Sequence, residues 1–280
     1  MYKLPLGDVV NDAVEWLLYM FEDPIDVFAN AMDKAIGGLH SGLEFLPWWL
    51  IIAIFVILSW KLSGWKLAVG SLLGLFLVYN LKLWSPLLDT LVLVLISAFV
   101  SIVIGIPLGI LGGRKESFHR VITPVLDFMQ TMPSFVYLIP ALMFFGLGAV
   151  PAVFATVIFA MPPAIRLTDL GIRQVPVDLV EVGEAFGSTP QQLLWKIQLP
   201  VALPTIMAGL NQTMMLSLSM VVISAMIGAG GFGAGVLSGI AQMDIGKGFE
   251  NGVGVVIMAI ILDRMTQGIG RSLRTDDIKK

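Results

Sequence analysis

The stretch EVGEAFGSTPQQLLWKIQLP, residues 181–200, is a polar island between long apolar runs. Its local chemistry predicts two short helices joined by a tight turn. Asp178 is placed to cap the first helix, with Glu181 three residues later completing a reciprocal capping box. That helix runs to about Phe186 and stops at Gly187, which takes a left-handed conformation without a Cβ penalty. Thr189 caps the second helix, Pro190 takes its first turn, and Gln192 closes a second box. Leu193, Leu194 and Ile197 give it an apolar face. Leu199-Pro200 ends the island and opens the next apolar run. Helices held in this way are rigid and present a fixed docking surface.

The solvent around the island follows from composition. Of 280 residues, 57% are apolar and only 13% are charged, with a mean hydropathy of +0.88. A soluble domain carries about 25% charge, so the bilayer is the expected solvent. A closed barrel would alternate over ten-residue segments, whereas the runs here are long and unbroken. The fold class is therefore all-α, a polytopic membrane protein. The chain has no cysteine, which excludes disulfides, thiolate metal sites, cysteine nucleophiles and a lipobox anchor. His40 and His119 are too scattered to suggest a metal site, and no nucleic-acid partner is expected.

Seven spans are predicted near 46–60, 67–84, 86–111, 124–146, 149–166, 200–228 and 250–266, each close to the length that crosses about 30 Å of hydrocarbon. Ser85-Pro86 and Thr123-Pro124 read as cap-plus-proline starts for the third and fourth. Trp48, Trp49, Trp60, Trp65, Tyr79 and Trp84 cluster at span ends, as an interfacial aromatic belt does. Residues 1–45 read as an amphipathic segment, with eight acids (Asp8, Asp12, Glu15, Glu22, Asp23, Asp26, Asp33, Glu44) against Lys3 and Lys34. Asp23-Pro24 is its cap and first-turn pair. Ile25, Phe28, Ala29, Met32, Ala35, Ile36 and Leu39 share one face, so this helix lies on a membrane surface or packs across a bundle. A signal peptide is not expected, since no basic region precedes the first long apolar run.

Basic residues choose the orientation. Lys61, Lys66, Arg114, Lys115, Arg120, Arg166, Arg173, Lys196, Arg264, Arg271, Arg274, Lys279 and Lys280 fall on one side. Lys3, Lys34, Lys82 and Lys247 fall on the other, thirteen against four. The positive-inside rule then puts the N-terminus outside, the C-terminus in the cytoplasm, and the island in the cytoplasm. The organisation expected is an extracytoplasmic segment 1–45, two accessory helices over 46–84, a five-helix core over 85–270 with a cytoplasmic loop at 167–199, and a tail from 271 to 280.

Other polar features carry two readings each. Asn211, Gln212, Ser217, Ser219 and Ser224 polarise the sixth span, either lining a water-filled route or bonding between helices. Gln130, Met132, Pro133 and Tyr137 form a second group for the same route. Asp89 and Asp127 lie about one turn inside their spans, facing a cavity or capping a helix. The glycines of 228–239 lack the Gly-Lys-Ser/Thr ending of a phosphate loop, so the chain is not its own ATPase. Gly228, Gly230, Gly231, Phe232 and Gly233 read instead as an irregular or re-entrant outer gate, the alternative being close helix packing. No metal spacing or nucleophile–base pair supports an embedded enzyme.

The island resembles the coupling motif of ABC-importer permeases, written Glu-Ala-Ala, three residues, Gly, nine residues, Ile-x-Leu-Pro. Glu181, Gly187, Ile197, Leu199 and Pro200 match it, with Val182-Gly183 where the family has Ala-Ala. Residues 85–270 resemble the type I (MetI-like) core. The strings MQTMPSFVYLIP (129–140), ATVIFAMPPAIRLTDLGIRQVP (155–176) and ISAMIGAGGFGAGVLSGI (223–240), with the two added spans, resemble the glycine betaine/proline betaine permeases of osmoprotectant uptake. The resemblance implies an ATPase-coupling surface at Glu181, Gly183, Glu184, Ala185, Gly187, Ser188, Thr189, Pro190, Ile197, Leu199 and Pro200. It implies a permease homodimer, two ATP-binding cassette subunits that hold ATP and Mg, and a separate extracytoplasmic binding protein, because the sequence stops at Lys280. The permease itself would bind no cofactor. A permease for choline, methionine or another amino acid stays open, as does a secondary transporter working without ATP.

Overall fold

Buried backbone must satisfy its own hydrogen bonds in lipid, which leaves helices as the way for such runs to fold. The computed structural model describes Asp12, Trp16 and residues 19–278, with the side chains of Glu22 and 272–278 excepted. Among the described residues there is no strand. Asp8, Glu15, Lys3, Lys279 and Lys280 lie outside the described residues.

In chain order the helices are α1 (Glu22–Phe45), α2 (Trp48–Ser63), α3 (Trp65–Asn80), α4 (Trp84–Arg114), α5 (Glu116–Thr131), α6 (Leu138–Phe145) and α7 (Ala149–Arg173). After these come α8 (Val177–Ala185), α9 (Pro190–Leu193), α10 (Leu199–Ile223), α11 (Gly231–Gln242) and α12 (Ile245–Ile278). Four helical segments are long and apolar enough to cross a membrane, those of α4, α7, α9–α10 and α12, and two bent pairs bring the number to six. Helix α3 is a shorter apolar helix of 16 residues. Together these account for the seven predicted segments.

Helix α7 is the centre of the bundle, packed between α4 and α10. Small residues make this possible. A β-carbon at Gly105 would stand 2.8 Å from Ala164 Cβ, and one at Gly109 would stand 2.5 Å from Thr168 Cβ. On the other side, Gly209 lies against Pro163 and Leu167, and Gly171 against Ala202 and Thr205. The larger core joins Val94, Val153, Ala155, Met220 and Val221 across these helices to Phe232 of α11 and to Met258 and Ile261 of α12. Helices α2 and α3 pack on each other and on α12. Ser59 and Ser71 share a buried 2.9 Å hydrogen bond between them.

Helix α1 packs across the bundle, turning 101° from α2. Phe28 stands 5.6 Å from Phe145 and 6.1 Å from Phe154, ring centre to ring centre. His40 reaches Asp89 of α4 at 2.9 Å.

Several expected boundaries move. Helix α1 starts at Glu22 without a side-chain cap, so Asp23 acts as a first-turn anion at the helix N-terminus rather than as the cap. Helix α4 starts at Trp84, also uncapped by a side chain, which puts Ser85 and Pro86 inside its first turn. The fourth span is not one helix from 124. Helix α5 begins at Glu116, Pro124 lies within it, and Thr123 bonds back to the His119 carbonyl at 2.8 Å instead of capping. The chain then bends by 108° at Met132-Pro133. Pro133 disfavours helical geometry at the residue before it, and Met132 is extended at ψ 134°. Helix α7 continues to Arg173, two turns past the expected 166, so 167–173 belongs to a span and not to the loop.

Candidate functional site

The island folds as two helical pieces closed by complementary end devices. Helix α8 begins after Pro176 with no side-chain cap. Asp178 is therefore a first-turn residue, and the expected Asp178–Glu181 box is absent because helical geometry starts one residue before Asp178. Its C-terminus is a complete Schellman motif. The Ser188 N–H donates to the Gly183 carbonyl at 3.0 Å, and the Gly187 N–H donates to the Glu184 carbonyl at 2.8 Å. Gly187 supplies the required left-handed residue at φ +76°.

Two residues later the second piece starts on the predicted box. The Gln192 N–H donates to Thr189 Oγ1 at 3.3 Å, and the Thr189 N–H donates to Gln192 Oε1 at 2.9 Å, with Pro190 in the first turn. The elbow is locked across its inner side by apolar contact. A β-carbon at Gly183 would lie 2.6 Å from Ile197 Cδ1 and 2.8 Å from Leu193 Cδ1. Gly183 and Ile197, fourteen positions apart in the sequence, meet at one point. Glu181, Glu184, Ala185, Thr189 and Pro190 are exposed around it, and Ser188 is half-buried. Phe186 and Trp195 are exposed as well.

The second piece does not stop at the membrane. Residues 194–198 form a single π turn, closed by the Leu199 N–H donating to the Leu194 carbonyl, and α10 follows without a break. Pro200 has no N–H to give and its ring excludes the carbonyl four residues back, so the ladder widens there. Leu194 is buried with Ile172, Ala202 and Ile206, against Ile106 and Ile110. The elbow is thus welded to α4, α7 and α10 together.

A charge network at the root of the island was not foreseen. Asp169 is buried and uses both oxygens, one with His119 Nδ1 at 2.5 Å and one accepting from Arg173 Nε at 2.8 Å. Arg173 also donates to Glu116 at 2.7 Å and to the Gly112 carbonyl at 2.9 Å. Arg120 adds a 3.3 Å hydrogen bond to the other oxygen of Glu116. Further along, Arg166 donates to Asp127 at 2.5 Å. Leu126 is the one buried residue of α5 among those described, so charges do much to fasten that helix. The signal was an i, i+3, i+4 polar pattern through Glu116, His119 and Arg120, hidden because Arg173 and Asp169, the α7 partners of Glu116 and His119, lie 57 and 50 residues away.

The remaining candidates separate. Gln130, Met132 and Pro133 stand at the bend, where the Tyr137 hydroxyl donates to the Met129 carbonyl. On α10, Ser217 and Ser224 are buried and donate to carbonyls four residues back, at 2.9 Å each. Ser219 does the same at 3.1 Å but is exposed, as is Gln212. Asn211 turns away from them and donates to Asp263 of α12 at 2.9 Å.

The 228–233 glycines make a turn with φ +86°, +81° and +68° at Gly228, Gly230 and Gly231. The Phe232 N–H donates to Thr90 Oγ1 at 2.9 Å, and its ring is fully buried. Small residues then zip α11 to α12: Phe232 on Gly254, Gly235 on Asn251, and Gly239 on Gly248.

Residues 105–275 match the family described as binding-protein-dependent transport system inner membrane component. The glycine betaine transport system permease protein OpuAB of Bacillus subtilis (strain 168) is 51% identical over 267 residues, covering 95% of both chains. The glycine betaine/proline betaine transport system permease protein ProW of Escherichia coli (strain K12) is 46% identical over 272 residues, 97% of this chain and 77% of that one. Among solved structures, the inward-facing MetNI methionine ABC transporter aligns with a TM-score of 0.61 at 23% identity, over 68% of this chain and 95% of that chain. That likeness bears on the fold alone.

Proposed function

This chain belongs to the binding-protein-dependent transport system inner-membrane component family, and from that premise we propose that it imports glycine betaine, proline betaine or a related quaternary ammonium osmoprotectant. It is the membrane-crossing permease subunit. Two copies form the route, two separate ATPase subunits bind ATP and Mg and dock on the island, and a separate binding protein delivers solute from outside. The N-terminus is extracytoplasmic and the island and C-terminus are cytoplasmic. The two accessory helices α2 and α3 buttress α12.

One observation carries the coupling role: an elbow closed by a Schellman motif and a capping box runs without a break into α10. A flexible loop would absorb a push from a closing ATPase, whereas this piece moves with the bundle. The exposed Phe186, Trp195 and Val182 give a docked subunit apolar surface to cover. The solute class is supported by relatives that share about half the residues over nearly the whole chain.

The test is reconstitution in liposomes with an ATP-binding cassette ATPase and a binding protein of the same transport family. Uptake of glycine betaine that requires ATP and all three components is expected. Uptake by the chain alone, driven by an ion gradient, would overturn the reading.

A further inference from the structure

Helices α5 and α7 run antiparallel along each other. Glu116 meets Arg173, Asp127 meets Arg166, and Tyr137 packs on Phe159 at 5.8 Å. Arg166 lies seven residues inward from Arg173 along α7, which is about 10 Å at the helical rise. With Arg173 at the cytoplasmic edge, the Asp127–Arg166 pair lies about a third of the way into a 30 Å hydrocarbon layer. At that depth Asp127 keeps 57% of its side chain exposed and Arg166 39%. Asp169, one turn closer to the edge, keeps only 7%. Charges so exposed cannot rest against lipid, and ionisable groups at membrane depth face water and mark solute routes.

The surroundings agree. Glu116, Arg120, Thr123, Asp127, Gln130 and Thr131 fall on one face of α5 at helical spacing. Val121, Val125 and Phe128 form a separate exposed apolar stripe on the same helix. A span with a continuous polar face leading from the cytoplasmic edge to a proline bend lines an aqueous vestibule.

We infer that Asp127 and Arg166 form a dipolar pair in this vestibule that takes a zwitterionic solute, the carboxylate facing a cation and the guanidinium a carboxylate. This deepens the betaine reading above and rests on it. A zwitterion entering between them exchanges one ion pair for two and leaves every charge matched. The planar guanidinium receives a carboxylate through two parallel hydrogen bonds. A solute with only the cationic end leaves Arg166 without its anion, which selects against it.

The chain has no native cysteine, so single cysteines report cleanly. In the complete importer, in inside-out vesicles, Asp127→Cys and separately Gln130→Cys are exposed to a charged, membrane-impermeant methanethiosulfonate. Gln130→Cys keeps the ion pair intact should Asp127→Cys fail to fold. Both are expected to react. At Gln130→Cys, where the pair is intact, glycine betaine at about ten times its half-protecting concentration should slow the reaction roughly tenfold by occupancy, and choline at the same concentration should not. At Asp127→Cys, which lacks the carboxylate, the same glycine betaine should protect far less.

Asp127→Arg and Arg166→Asp are each expected to abolish uptake, and together to restore it in part. Absence of labelling at Gln130→Cys, meaning the face is covered by a second copy or by lipid, overturns the inference. So does labelling at Gln130→Cys that glycine betaine leaves unchanged, or full uptake by either single charge reversal. A wild-type importer that takes up no glycine betaine sinks the functional reading instead. That result is read from uptake alone, independently of the labelling.

Discussion

The terminal methyl of Ile197 rests on the bare α-carbon of Gly183, where a β-carbon would stand only 2.6 Å away. Both atoms that a side chain at 183 would meet, Ile197 Cδ1 and Leu193 Cδ1, are ends of flexible chains and can shift. Gly183→Ala is therefore expected to fold and couple, helped by about 1 kcal/mol of helix propensity. Gly183→Leu should pry α8 from the second helix and lower the ratio of solute imported to ATP hydrolysed. Equal ratios for the Ala and Leu variants would show that this contact does not carry the push.

Position 187 separates strain from bulk. Gly187 is left-handed, yet no atom lies within 4 Å of where its β-carbon would be. Any L residue there costs about 1–2 kcal/mol from the backbone alone, and side-chain size adds nothing within the chain. Gly187→Ala and Gly187→Trp should therefore unfold at nearly the same temperature, with Gly187→Asn the mildest. ATP-driven uptake should fall further for Trp than for Ala, because a docked ATPase meets the bulk. A much lower unfolding temperature for Trp would contradict the open geometry.

The two charge clusters on α5 should differ in what they do. Asp169→Asn removes the buried charge and leaves one acceptor oxygen where Arg173 and His119 use two, an effect of about 1–3 kcal/mol. Asp127→Asn loosens an exposed pair worth about 0–1 kcal/mol. Thermal unfolding of the purified chain should rank Asp169→Asn clearly below Asp127→Asn. The reverse order would mean that the Asp127–Arg166 pair is a structural brace.

Packing of α4 on α7 offers a fourth check. A β-carbon at Gly109 would stand 2.6 Å from the Ile165 carbonyl oxygen as well as against Thr168, and backbone cannot step aside. Gly109→Ala should sharply reduce the yield of folded protein in detergent, by gel filtration. Gly70→Ala, in open space on α3, should match or exceed wild type.

What the amino-acid pattern revealed was the local chemistry. Gly187, Thr189, Pro190 and Gln192 each act through neighbours within a few positions, and all four behave in three dimensions as their types predict. Asp178 did not, since a helix that starts one residue early turns a cap into an ordinary first-turn acid. The larger misses come from what hydropathy and spacing do not record. Residues 124–146 read as one apolar run because hydropathy does not register the extended backbone at Met132, which Pro133 favours. Helix α7 looked finished at Arg166 because three charged residues follow the apolar stretch, and their partners on α5 lie 39 to 57 residues away. The contact between Gly183 and Ile197 was likewise invisible, although both residues stood in the motif, because a spacing along the chain says nothing about which atoms touch.

The widened turn at Leu194–Gln198 fits one residue more into the ladder than ordinary winding would. Each residue of an α-helix advances the azimuth by about 100°, so this surplus decides which way the elbow points relative to the span above it. Excising a single residue there would restore regular winding and swing Phe186 and the Gly187 corner roughly a quarter-turn around the axis. The protein would keep every part of its lever and aim it at the wrong place.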